Sequence, residues 1–124
     1  MGTGQCPVKR YNRYPRSLIA EDKVKNGIVV RDQRDDWSEH QPSAGQEDEF
    51  IDARGWDEYA NWHLGVDDEA SEHTKARYKF PYGDFARVHR CGLLAAEVRA
   101  GRMKYRGIED AAIRLRDILD EQGR

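Results

Sequence analysis

The sequence predicts a mainly α fold, a small helical domain behind an extended N-terminal arm with room for one short strand. Three observations carry that expectation. Ile108, Ala111, Ala112, Leu115, Ile118 and Leu119 recur at helical spacing behind Glu109 and Asp110, whose charges suit the positive end of a helix dipole. Residues 85–100 set Ala86, Gly92, Ala95, Ala96 and Ala100 among Phe85, Val88, Leu93, Leu94 and Val98, and Gly101 stops that helix. The β signal, by contrast, is confined to Asn26–Gly27 followed by Ile28, Val29 and Val30, a turn leading into β-favouring residues.

The elements follow in order. Pro15 pushes Tyr14 toward extended geometry. The polar stretch RDDWSEHQPSAGQEDE contains Pro42 and Gly45 and places a boundary there: residues 1–45 form an arm and linker, residues 46–124 the helical domain. A helix is expected to begin after Ser43 or Gln46 and to stop at Gly65, its acidic start at Glu47, Asp48 and Glu49 matching the dipole. On it Ala53, Trp56, Ala60, His63 and Leu64 share one arc, and Ile51 and Trp62 another. Gly55 weakens that helix by up to about 1 kcal/mol. A short helix is expected at residues 69–77. KFPYGDF then reads as a corner: Pro81 lacks a donor, Gly83 permits a positive φ, and Asp84 can cap the helix that follows. The last helix is placed at 108–121, with Ile113 off its stripe.

Composition narrows the functional classes. The net charge of −2 hides blocks of opposite sign: +5 over residues 1–31, −12 over 32–72, +7 over 75–106 and −2 over 107–124. Such blocks either neutralise one another within the chain or present a basic surface to an anionic partner. No apolar run reaches the roughly 18 residues that a membrane span requires, and MGTGQCPVKR lacks the apolar stretch of a secretory signal, so the expected location is the cytoplasm, with no membrane partner. Cys6 and Cys91 have neither CxxC spacing nor a disulfide framework around them.

Catalytic chemistry finds little local support. His40, His63, His73 and His89 form no i, i+4 pair and no HExxH, so neither a metal nor a cofactor is expected. An enzyme would have to use Cys91 with His89 or His63. On a helix, His89 and Cys91 would point about 200° apart, and the acidic runs lack the apolar setting that raises a carboxyl pKa. No GxxxxGK[ST] or GxGxxG offers a phosphate cradle. The stronger classes are binding ones. A protein partner is the first expectation, with Trp62 and Ile113 as contacts. The alternative is nucleic acid, bound by Arg87 and Arg90 with Tyr78, Tyr82 and Tyr105 interleaved to stack bases. Against a helix-turn-helix reading, the second helix is acidic.

The stretch RYKFPYGDFARVHRCGLLAAEVRAGRMKYRGIEDAAIRLRDIL, with GWDEYANWHLGVD before it, resembles a family of small bacterial proteins of unknown function, and more loosely phage-derived segments in which an aromatic-proline turn precedes two helices. The likeness spans about residues 55–120. It implies a compact helical domain and no particular chemistry.

Overall fold

The computed structural model describes residues 11–13, 18–33 and 36–122; the expectations for Cys6 and for Tyr14–Pro15 fall outside them. The fold is mixed α/β, not mainly α: helix takes 57% and strand 14% of the described residues, and the strands form two separate small sheets. In order the chain forms β1 (Asn12–Arg13), α1 (Leu18–Lys25), β2 (Val29–Val30), α2 (Trp37–His40), α3 (Ala44–Arg54), α4 (Trp56–Ala60) and β3 (His63–Val66). A 3-10 turn (Lys75–Arg77), β4 (Tyr78–Pro81), β5 (Val88–His89), α5 (Arg90–Arg102) and α6 (Arg106–Gln122) follow. No described helix is long and apolar enough to cross a membrane.

The first sheet is antiparallel in the order β1-β3-β4, with Asn12 opposite Val66, His63 opposite Pro81 and Gly65 opposite Lys79. The second is a parallel pair, Val29 beside Val88 and Val30 beside His89. Helix α6 carries the expected stripe: Ile108, Ala111, Ala112, Leu115 and Leu119 are buried and Ile118 packs at the edge. It lies between α5, α1 and the β3 side of the first sheet. That approach is close, since a Cβ on Gly65 would stand 2.8 Å from the Ile108 side chain.

The extended arm is thus corrected. Ala20 and Val24 of α1 are fully buried in the same core as Leu115 and Leu119, and β2 hydrogen-bonds to β5, so residues on both sides of position 45 share one apolar interior. Gly27, at φ +75°, makes the expected turn between α1 and β2. A second correction concerns residues 46–65. Ser43 and Gln46 close a capping box that starts α3, but Gly55, at φ +89°, ends it, and after the short α4 the chain becomes strand. All four β3 residues are buried, so no polar alternation marks the strand, and Trp56, Ala60, His63 and Leu64 mimic a helical arc. The helix placed at 69–77 is a run of turns ending in the 3-10 turn.

The corner differs from expectation in its mechanism. Positive φ falls on Phe80 (60°) and Phe85 (71°), not on Gly83. Packing holds both rings: Phe80 meets Tyr105 edge-on, and Phe85 stacks on Phe50 with centroids 4.4 Å apart. Asp84 accepts hydrogen bonds from the Ala86 and Arg87 amides, at 2.9 and 2.7 Å, but it closes a turn into β5 rather than capping a helix. Helix α5 begins six residues later than Asp84, at Arg90.

Candidate functional site

Two neighbouring features share helix α2. The first is a histidine between carboxylates. Asp32 follows β2, Asp84 sits in the corner turn and His89 ends β5, so pairing of the two parallel strands brings Asp32 to His89, while the turn folds Asp84, five positions earlier, onto the same ring. His89 Nδ1 lies 2.7 Å from Asp32 Oδ2 and Nε2 lies 2.8 Å from Asp84 Oδ2. Two ionised carboxylates can both accept only when both ring nitrogens carry protons, so this geometry favours the imidazolium form of the ring. Burial works against that charge, but the hydrogen bonds and charges of Asp84 and Asp32 outweigh it and raise the His89 pKa. Asp32 is likewise pushed up by burial, yet the backbone N–H of Cys91, at 2.8 Å, and His89 hold its carboxyl below the usual range. The same balance, with His89 and the two turn amides as donors, lowers Asp84.

His40 comes from the end of α2. Its ring stacks on His89 at 5.0 Å between centroids and 27° between planes, and its Nε2 lies 3.9 Å from Asp32 Oδ2. One ligand atom from each of Asp32, His40 and His89 can be chosen so that all three lie within 4.8 Å of one another. The sequence expectation of no metal cluster rested on local spacing, which cannot register a group assembled from three elements. Asp32 and His40 were missed for that reason. Cys91 is buried beside this group. Burial first, then the Asp32 carboxylate, pushes its thiol up to about 12, so the thiolate that a nucleophile requires is strongly disfavoured. Both His89 nitrogens are meanwhile engaged by carboxylates rather than by sulfur.

The second feature is basic. Of the nine Lys and Arg between 75 and 106, Lys75 pairs with Glu47 and Asp48, Arg77 with Asp68 and Arg90 with Asp120. Among the described residues the other six, Lys79, Arg87, Arg99, Arg102, Lys104 and Arg106, form no ion pair. The acidic block therefore meets only two of the nine. Four of the six cluster where α5 ends, a position that also complements the negative end of the helix dipole. Arg99 and Arg102 line a groove of about 530 Å³ with Trp37 and Ser38 of α2 and Leu94, Ala95 and Val98 of α5. Lys104 and Arg106 line a second cleft of about 480 Å³ with Tyr11, Asn12, Arg13, Tyr105 and Gly107. Neither lining contains a carboxylate.

The seven binding residues expected from sequence do not converge on one surface. Tyr82 is fully buried and donates its hydroxyl to the Asn61 carbonyl; Trp62 packs against it. Tyr105 is buried between Tyr11 and Phe80. Tyr78 is half-buried among Trp56, Tyr59 and His63. Arg90 donates Nε–H to Asp120, Ile113 is half-buried beside Ile118 on α6, and Arg87 alone of the seven is exposed. Aromatic and basic residues interleave in sequence, but the core claims the rings. Comparison with family models, with curated proteins and with solved structures gives no match.

Proposed function

We propose that the chain is a non-catalytic binding module that takes an acidic protein segment along the groove between α2 and α5. The observation behind this reading is the pair Arg99 and Arg102, which form no ion pair among the described residues, beside the apolar floor of Leu94, Ala95 and the exposed Val98. A carboxylate-bearing segment with an aliphatic side chain satisfies both halves: arginine takes carboxylates in bidentate geometry, and the aliphatic group covers Val98. The raised Cys91 pKa and the doubly engaged His89 speak for binding over nucleophilic turnover.

Nucleic acid is the second reading, favoured by the cleft that joins Lys104 and Arg106 to the rings of Tyr11 and Tyr105. Here phosphates would meet the cations, while the burial of Tyr82 and Tyr105 leaves little ring surface for bases.

Titration of the full chain against acidic peptides with and without an aliphatic residue, and against labelled duplex and single-stranded DNA, at two salt concentrations separates the two. The protein reading expects the aliphatic peptide to bind best and R99E/R102E to abolish that binding with an unchanged melting temperature. Preference for DNA, with a log–log salt slope of about −0.9 per phosphate neutralised, would replace it with the second reading. Failure of every probe at low salt would remove both.

A further inference from the structure

We propose that Asp32, His40 and His89 form a binding site for a divalent transition-metal ion of the zinc class. A simple ion triad, Asp32–His89–Asp84, already ties β2 to the corner turn, and it has no use for a second imidazole. Yet His40 lies over His89 with its Nε2 facing Asp32, although the ring is two-fifths exposed and has solvent as an alternative. Two imidazoles and one carboxylate suit zinc and its late first-row neighbours, and three protein ligands leave a position open on the exposed His40 side.

The surroundings are those of a ligand set. Asp84 accepts from His89 Nε2 at 2.8 Å, which fixes the tautomer with Nδ1 turned inward and increases the basicity of the ring. The Cys91 amide holds Asp32 Oδ1 at 2.8 Å, leaving Oδ2 toward both histidines. Metal–ligand bonds of about 2.0–2.2 Å place tetrahedral ligand atoms roughly 3.4 Å apart. The two separations from Asp32 Oδ2, 2.7 Å to His89 Nδ1 and 3.9 Å to His40 Nε2, bracket that distance, and one ligand atom from each of the three residues lies within 4.8 Å of the others. The ion takes the place of a proton between His89 Nδ1 and Asp32, which leaves to solvent, while the Nε2 proton stays on the ring and is donated to Asp84. The remaining movement falls on the exposed His40 ring at the end of a four-residue helix.

The test uses the full chain after treatment with a chelator, with Co2+ as a visible-absorption probe and Zn2+ by calorimetry. One ion per chain is expected, with the ring signals of His40 and His89 shifting together in NMR spectra. His40→Ala, at an exposed position, is expected to keep the ion-free melting temperature and to weaken binding by at least about 10-fold. Asp84→Asn, acting as a positioning residue, is expected to weaken it by about 10–100-fold. No saturable binding, undiminished binding by His40→Ala, or ring shifts confined to other histidines would each overturn the proposal. The His40→Ala result decides even if Asp84→Asn does not fold. None of these outcomes depends on the groove or on its occupant.

Discussion

Adding a methyl carbon to Gly83 would place it 2.6 Å from the Arg87 carbonyl oxygen and 2.6 Å from two atoms of the Trp62 ring. Ordinary contact begins near 3.4 Å, and neither neighbour can withdraw cheaply. The Arg87 carbonyl accepts the Asp84 amide at 3.1 Å, and Trp62 is buried against Tyr82 and Phe85. Because φ at Gly83 is not positive, alanine brings no backbone strain there, and the whole cost is overpacking, about 1–3 kcal/mol. The loss of unfolded-chain freedom returns about 0.4–1 kcal/mol. A net destabilisation of about 1–2 kcal/mol follows, a fall in melting temperature of about 4–8 °C for a domain of this size. Gly27 is the contrasting case: φ is +75° and nothing stands within 4 Å of its added Cβ. Gly27→Ala should therefore cost about 1 kcal/mol through backbone strain alone, and Gly27→Asn less. Urea and thermal unfolding of both alanine variants, alone and in a Trp62→Leu background, separates the causes. Removing the indole should shrink the Gly83 penalty and leave that of Gly27 unchanged. A Gly83→Ala variant as stable as wild type, or one whose cost is indifferent to Trp62→Leu, would refute the steric argument.

Two further outcomes are expected from the core. His63 is buried with Nδ1 facing the Tyr59 carbonyl at 2.9 Å, and burial lowers its pKa to about 4. The unfolded chain takes up a proton below about pH 6.5 while the folded chain does not, so this residue removes stability as pH falls from about 6.5 toward 4, up to about 3 kcal/mol in all. Ring NMR should show His63 neutral at pH 5.5, and titration near 6.5 would contradict the burial argument. Leu115→Asp, at a side chain 2% exposed, should cost several kcal/mol of a total near 5–15 and unfold the chain, whereas Ile113→Asp, half-buried beside Ile118, should leave it folded; far-ultraviolet dichroism of the two variants is the check.

Local chemistry was legible wherever one stretch of chain settles its own geometry. The α6 stripe, the Ser43 start of α3 and the Asn26–Gly27 turn all depend on residues within a few positions of one another, while the Asp84 carboxylate folds back on its following amides but closes a turn instead of the expected helix cap. The sheets were not legible. A two-residue strand such as β2 or β5 has no periodicity to detect, and β3 is covered on both sides, so its pattern cannot be told from a buried helix. Burial was decided by the tertiary structure as well. Tyr82 and Tyr105 read as surface rings beside lysines and arginines, and Trp62 as a contact for a protein partner, but the tertiary structure turns all three inward. The histidine group is the clearest case. Asp32 and His89 are 57 positions apart, and only the parallel pairing of β2 with β5 brings that carboxylate to Nδ1, whereas Asp84 reaches Nε2 locally, from five positions earlier. Charge blocks were plain in the sequence. Which cations find partners was settled by where Glu47, Asp48, Asp68 and Asp120 come to rest, because an ion pair forms over 4 Å of space and not over a span of sequence.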